Sequence, residues 1–208
     1  MDININKLIE VIFMDNSETK DKILAAAKEL FAQKGFDGTS TREIVNAAGV
    51  NISLIAYHFG GKENLFFSMF DHFMEDTYHT ETNIISSDII DEFKSIINYI
   101  IRLRFEDPQL VKILHHEIIL NSSRCDKLKT LLIPIWNRVK ILLLEGKSKG
   151  IFRFENIDNA LSFTMSVAIF PRQNQYFIES ANTNATSINI NTTINELLNF
   201  ILKGLSID

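Results

Sequence analysis

The stretch that decides the fold reads TSTREIVNAAGVNISLIAYHFGGKENL and covers residues 39–65. Ser40 and Glu43 have capping-box spacing, so each side chain can accept a hydrogen bond from the other residue's backbone N–H at the start of a helix. Gly49 follows the apolar positions of that helix and suits a tight turn, because glycine tolerates positive φ. The pattern predicts two short helices joined at Gly49, with the first ending at Ala48.

The second helix of this pair is predicted over residues 52–57, with Asn51 as its cap. Small polar residues open it, and Tyr57, His58 and Lys62 lie at or just beyond its end. Such a helix can place its first side chains against base edges in a DNA groove, while hydroxyl, amide and ammonium groups contact phosphates. The stretch therefore predicts a helix-turn-helix element that binds DNA.

Helical periodicity extends to both sides of this stretch. An apolar stripe predicts a helix over residues 19–34, which Gly35 ends. Pro134 and Pro171 are expected to kink or split their helices, and Thr193 with Glu196 repeats the capping-box spacing. Helices are predicted over 62–79, 88–106, 108–121, 126–149, 158–179 and 193–204, with a loop over 180–191. The fold class is therefore all-α, with an N-terminal three-helix unit before a larger helical region.

Composition is that of an ordinary globular chain: 46% of the 208 residues are hydrophobic and 23% are charged. No apolar run approaches the roughly 20 residues of a membrane span, and no secretory signal opens the chain, so a cytoplasmic protein without membrane contact is expected. The net charge is −5, and acidic residues outnumber basic ones over residues 1–66. Because DNA binders usually carry a basic stripe, any attractive field must be local to the contact face.

Residues 19–70 resemble the TetR family of bacterial regulators. The likeness includes ILAAAKELFAQKGFDGTSTREIVNAAGV and YHFGGKENLF, in order and at family spacing, and the later run EGKSKGIFRFENID. It implies a homodimer with two helix-turn-helix heads and a C-terminal domain that binds a small-molecule effector. The expected domains are an N-terminal extension over 1–16, either helical or a mobile arm, a DNA-binding domain over 17–66, and a ligand-binding and dimerisation domain over 67–208.

The resemblance also implies which residues contact DNA. They lie at the start of the first helix of the pair, on the recognition helix and just after it: Thr41, Arg42, Asn51, Ser53, Leu54, Tyr57, His58 and Lys62. By chemistry, Arg42 suits a bidentate guanine contact and Asn51 an adenine contact. Alternatives remain open, since Thr41 could support the Ser40 cap, Tyr57 and His58 could pack beneath the helix, and Lys62 could be solvated. Ala56 stands where the family has an aromatic residue, and Gly60-Gly61 replaces a commoner polar pair.

The C-terminal region is rich in aromatic and apolar residues, which can line a ligand cavity or form ordinary core. The residues expected around the effector are Phe70, Tyr99, Leu103, His115, Trp136 and Phe163. The last two helices are expected to form the dimer surface, because they carry apolar residues at helical spacing: Leu161, Met165, Ile169, Leu197, Leu198 and Ile201.

Other chemistry is weakly signalled. Residues 115–117 (His-His-Glu) and the set His72, Asp76 and His79 could bind a divalent cation, but a wet helix face or pocket rim is the preferred interpretation. Cys125, next to Arg124, could be a reactive thiolate, with a structural cysteine as the default. No nucleophile elbow, phosphate loop or HExxH pattern is present. No metal site, cofactor, catalytic residue or enzyme activity is therefore predicted.

The predicted function is a ligand-responsive DNA-binding transcriptional regulator. It is expected to be a homodimeric repressor that a small molecule of unknown identity releases from a palindromic double-stranded DNA operator. The alternative is a family member that acts as a DNA-bound scaffold or binds a partner protein instead of repressing.

Overall fold

The structure, a computed structural model, describes residues 5–81, 88–169 and 189–205, without the side chains of 5–15 and 72–81. Within those residues it is all-α, as predicted, with nine helices and no strand. The helices are α1 (Ile5–Lys34), α2 (Thr41–Ala48), α3 (Ser53–Phe59), α4 (Lys62–Glu81), α5 (Ile89–Glu106), α6 (Pro108–Leu120), α7 (Cys125–Ser148), α8 (Ile157–Ile169) and α9 (Ile190–Leu205).

The chain divides into two compact units, residues 1–75 and 76–208. The domain boundary predicted after residue 66 lies inside α4, which begins in the first unit and ends in the second. The N-terminal extension, left open between helix and arm, is helical from Ile5 onward and continuous with the helix predicted from residue 19.

The first unit is built around the apolar stripe of α1, which packs against α2. Its core residues come from all four helices, and each is at most 6% exposed: Ile23, Leu24, Ala27, Phe31, Ile44, Val45, Ile55, Phe59, Leu65, Phe66, Phe67 and Phe70. Five rings form what we call the aromatic cluster, with neighbouring centroids 5.2–5.6 Å apart: Phe31, Phe36, Phe66, Phe67 and Phe70. Burying several large rings in so small a unit supplies much of its hydrophobic stabilisation.

The second unit has α5 at its centre, in contact with α6, α7, α8 and α9. Phe93, Ile97 and Ile101 of α5 are fully buried. After α7 ends, Gly150 takes a positive φ of 72° and the chain turns back, so that Phe152 packs against Gly146. The absence of a side chain at Gly146 is what admits the ring.

Two predicted helix features differ in the structure. α7 runs unbroken through Pro134, so this proline does not split the helix. α9 begins at Ile190, and the capping box predicted at Thr193 is wrong: Asn189 Oδ1 accepts from Thr192 N at 3.2 Å, and Thr193 Oγ1 donates to Asn189 O at 3.1 Å. An asparagine one turn earlier offers the side-chain acceptor first. Pro171 and the rest of the predicted segments at 170–188 lie outside the described residues.

Candidate nucleic-acid interface

The start of α2 is fixed by the predicted capping box. Ser40 N donates to Glu43 Oε2 at 2.8 Å, and Glu43 N donates to Ser40 Oγ at 3.2 Å. Lys34 Nζ, from the end of α1, reaches the other carboxylate oxygen of Glu43 at 2.7 Å. Gly49 ends α2 with a φ of 68°, as the left-handed turn requires. These contacts fix the direction in which α2 meets α3.

The recognition helix α3 has two distinct faces. Ile55 and Phe59 are buried in the core of the first unit, whereas Ser53, Ala56 and Tyr57 are exposed. With 3.6 residues per turn, these two sets lie on opposite sides of the helix. The outward face therefore presents a hydroxyl, a methyl group and a phenol to solvent, with Tyr57 72% exposed.

α3 begins at Ser53, one residue later than predicted, with Ile52 at its N-cap position, and the Asn51 side chain bonds to the first helical residue. Its Oδ1 accepts from both Ser53 N and Ser53 Oγ, each at 2.9 Å. A bidentate adenine contact needs an amide oxygen as well as an amide nitrogen. The cap uses that oxygen, so the adenine contact predicted for Asn51 competes with the start of the helix.

Tyr57 and His58 lie in different environments although they are adjacent. The Tyr57 ring is exposed and meets the His58 ring edge-on, with centroids 4.9 Å apart. His58 is half-buried, and its Nε2 is enclosed with no hydrogen-bond partner among the described residues. Packing beneath the helix thus accounts for His58 and does not account for Tyr57.

A glycine pair connects α3 to α4. Gly60 and Gly61 have φ values of 73° and 149°, which other residues adopt only with strain. Lys62 follows as the first residue of α4, and its Nζ lies 4.1 Å from the centroid of the Phe36 ring. The Lys62 ammonium therefore lies over an aromatic ring, a contact that the alternative of a solvated lysine did not predict.

The remaining predicted contacts lie at the edges of the same surface. Arg42 is exposed in the first turn of α2, while Thr41 and Leu54 are half-buried. Ile52 is 50% exposed immediately before α3 and was not predicted as a contact residue. The sequence signal that could have identified Ile52 is its position immediately before the recognition helix, where its side chain is not packed in the core.

The residues expected around an effector are divided between the two units of the chain. Phe70 belongs to the core of the first unit, where its ring packs against Phe66 with centroids 5.2 Å apart. The other five lie in the second unit: Tyr99 is buried, Leu103, His115 and Trp136 are half-buried, and Phe163 is 67% exposed. Burial also lowers the pKa of His115.

Phe163 lines a groove between α8 and α9 with a volume of about 670 Å³, the α8/α9 groove. Phe200, which is 68% exposed, also lines it, with an apolar floor that includes Ala160, Ile201 and Leu205. Among the residues predicted for the dimer surface, Met165 and Ile201 are buried, and Leu161, Ile169, Leu197 and Leu198 are half-buried and pack against the core of their own unit. Ile201 also lines the α8/α9 groove, so the predicted stripe borders both the core and the groove.

The last residue of the His-His-Glu run, Glu117, has a structural role. Glu117 is buried, and its Oε2 accepts from Arg124 Nε at 2.8 Å and from Ser122 Oγ at 2.5 Å. The buried Cys125 thiol donates to Glu117 O at 3.0 Å. This network ties the end of α6 to the start of α7, which accounts for the glutamate and the cysteine without a metal or a redox role. The side chains of His72, Asp76 and His79 lie outside the described residues.

None of the described helices offers a stretch long and apolar enough to span a membrane.

Comparison of the sequence with known proteins gives a family match over the same part of the chain. Residues 23–69 match the family model for bacterial regulatory proteins of the tetR family. The probable HTH-type transcriptional regulator YttP of Bacillus subtilis is 34% identical over 109 residues, which cover 50% of this chain and 53% of that protein. The HTH-type transcriptional repressor NicS of Pseudomonas putida is 27% identical over 78% of this chain and 79% of its own.

Among solved structures, the crystal structure of HlyIIR, a hemolysin II transcriptional regulator, is similar over 93% of this chain and 99% of its own. The TM-score is 0.69 and the sequence identity is 27%. The likeness to solved structures thus extends over both units, whereas the family model matches only the first.

Proposed function

We propose that the chain is a member of the TetR family of bacterial regulators and a homodimeric, ligand-responsive repressor that binds a palindromic DNA operator in the cytoplasm. The observation that carries this proposal is the outward face of α3, held by the Asn51 cap and by the buried Ile55 and Phe59. A recognition helix has to be rigid toward its own unit and exposed toward DNA. We assign it no catalytic role.

The proposed DNA contacts divide by chemistry. Tyr57 and Arg42 reach outward and can donate to phosphate oxygens or base edges, and the Ser53 hydroxyl oxygen can accept from a base amino group. Lys62 supplies an ammonium at the start of α4, where the positive end of the helix dipole also favours an anion. Thr41, Asn51, Leu54 and His58 complete the proposed set, with His58 supporting the helix from beneath.

We propose that the second copy docks on the α8/α9 groove. Phe163 and Phe200 are large exposed apolar side chains on neighbouring helices, and symmetric oligomers usually bury such a patch against the same patch of a partner. The NicS relative is described as a repressor, which favours repression over a scaffold role.

Effector response is proposed as a population shift. The effector and the operator bind different conformations of the dimer, so each weakens the binding of the other by the same factor, typically about 1–3 kcal/mol. Residues of the second unit from the predicted pocket, Tyr99, Leu103, His115 and Trp136, are the proposed effector contacts. α4 is the proposed lever, because it begins beside α3 and is continuous to Glu81.

The decisive experiment is selection of binding sequences from a randomised duplex library with the purified protein. We expect enrichment of one short sequence with two-fold symmetry, and repression of a reporter placed behind it in cells. Enrichment of many unrelated sequences would favour a scaffold on DNA. Enrichment of none, with a folded protein, would refute DNA recognition by this surface.

A further inference from the structure

The contact between Lys62 and Phe36 joins a proposed phosphate ligand to the core of the first unit. Lys62 Nζ lies 4.1 Å from the Phe36 ring centroid. The ring itself is held on two sides: Phe31 stacks on it at 5.6 Å with an interplanar angle of 24°, and Phe66 meets it edge-on at 5.3 Å and 86°. The platform beneath the ammonium is therefore fixed by packing.

An ammonium over an aromatic face is attracted by the ring quadrupole. An ammonium has three N–H donors, so a phosphate oxygen can accept from it while it stays over the ring. A lysine side chain has a flexible four-carbon stem, and ordering such a stem on binding normally weakens affinity. A lysine already held on a ring loses less freedom when DNA arrives.

We propose that Phe36 is a positioning residue for DNA binding, which holds the Lys62 ammonium over its ring in the orientation that contacts a backbone phosphate. This inference rests on the proposed function, because it needs a DNA-binding surface at α3 and the start of α4. It assigns the effect to the electrostatics of the ring face and not only to its volume. The aromatic cluster then connects the hydrophobic core directly to phosphate recognition.

The test replaces Phe36 by ring-fluorinated phenylalanines that carry one, two or three fluorines, introduced through a reassigned codon. Fluorination weakens the ring quadrupole while the shape changes little. The probe is a labelled, mixed-sequence DNA duplex at low salt, followed by fluorescence anisotropy. We expect the dissociation constant to rise stepwise, reaching about three- to tenfold with three fluorines. Thermal unfolding of each variant reports whether the core is intact.

The matched control is the same series in a Lys62→Met background, where the Lys62 ammonium no longer faces the ring. There the fluorines should change affinity by less than about 1.5-fold, because methionine carries no charge for the ring to attract. The Lys62→Met change alone should lower the magnitude of the slope of log affinity against log salt by about 0.9. Phe36→Tyr, which keeps the ring, should bind like the parent chain.

Two results would overturn the inference. Equal affinity across the fluorinated series, with DNA binding intact, would leave the proposed function standing and remove Phe36 from it. An equal loss in the Lys62→Met background would mean that the ring acts through packing alone. If the parent chain does not bind the duplex at all, the proposed function and the inference fall together.

Discussion

Glu43 is the residue on which the geometry of the helix pair depends most. Its carboxylate accepts from Lys34 Nζ, Ser40 N and Ser40 Oγ at 2.7–2.8 Å. The pKa of this carboxyl is lowered from 4.5 to about 2. The hydrogen bond from Lys34 is the largest cause, followed by those from Ser40. The charged form is therefore the one that the folded state stabilises.

Glu43→Gln should reduce stability in a pH-dependent way. A folded pKa of about 2 lies below that of an unfolded glutamate, about 4.3. The stabilisation is therefore fully present above pH 4.3 and is lost as the pH falls toward 2. Urea unfolding should show the parent chain more stable than the variant at pH 7, with the two values converging between pH 4.3 and pH 2. A difference independent of pH would contradict the pKa shift.

Gly146 is where a single methyl group should be most damaging. A Cβ there would lie 2.1 Å from Phe152 Cδ2 and 2.6 Å from Cε2, and the Phe152 ring is buried. Gly146→Ala should lower the free energy of unfolding by about 1–3 kcal/mol, because the ring has to move out of a packed core. Urea titration followed by circular dichroism measures this.

Gly204→Ala is the matched control, since Gly204 is also helical and a Cβ there meets no described atom within 4 Å. It should raise stability by up to about 1 kcal/mol through helix propensity. Because Gly204 lines the α8/α9 groove, light scattering should confirm an unchanged mass. Equal effects of the two substitutions would refute the close contact with Phe152.

Among the helices, α7 contains a proline in its interior. Pro134 is exposed and lies well inside Cys125–Ser148, where a proline removes one i→i−4 hydrogen bond and crowds the preceding turn. Pro134→Ala should therefore raise the free energy of unfolding by about 1–3 kcal/mol. Asn137→Ala, at another exposed position of α7, should change it by less than about 1 kcal/mol. A loss of stability in the Pro134 variant would show that the proline ring makes contacts that α7 needs.

The sequence was sufficient wherever a local signal decides the structure. Ser40 with Glu43 and Gly49 specify α2 through contacts among neighbours, and both ends are confirmed. The helices predicted over 88–106 and 108–121 are likewise separated at Asp107, whose side chain caps α6 ahead of a proline at its first position. The same reasoning failed at Thr193, because capping-box spacing does not reveal that Asn189 offers its oxygen one turn earlier.

Signals that depend on distant parts of the chain were the ones the sequence could not resolve. Met165 and Ile201 have the spacing of an apolar stripe, but spacing alone does not say whether the chain or a partner covers the stripe. The Lys62 position could not be predicted either, since it depends on Phe36, far away in sequence. The resemblance supplied the DNA contacts, and no periodicity would have selected them.

The protein has few cations near its DNA-binding surface, so the affinity for DNA should depend only weakly on salt concentration. Its net charge is −5, and Lys34, close to the helix pair, is bonded to Glu43. A dimer that presents Arg42 and Lys62 twice neutralises about four phosphates, so log affinity against log salt should have a slope of about −4. Anisotropy titrations over a range of potassium chloride measure it. A slope steeper than about −7 would require cations beyond Arg42 and Lys62 to contact the DNA.

The proposed dimer surface can be tested by substitutions in the α8/α9 groove. Phe163→Glu combined with Phe200→Glu places charges on both exposed rings of the α8/α9 groove, so the variant should be monomeric by light scattering at micromolar concentration. Its circular dichroism should be unchanged, and operator affinity should fall because the two heads no longer bind together.

The control is Ile119→Glu, which alters an apolar side chain that is 78% exposed on α6. That variant should remain dimeric. If it dissociates while the double variant on the groove does not, the dimer surface lies elsewhere.

The cap on α3 restricts the bases that Asn51 can recognise. With Oδ1 held by Ser53, the side chain has only its NH2 protons to offer outward. Adenine shows an acceptor and a donor in the major groove, guanine shows two acceptors, and thymine shows O4 beside its methyl group. Asn51 is therefore expected to make a single donor contact, to guanine N7 or O6, thymine O4 or adenine N7, without the bidentate preference for adenine. A strict requirement for adenine beneath Asn51 would mean that the cap opens when the helix enters the groove.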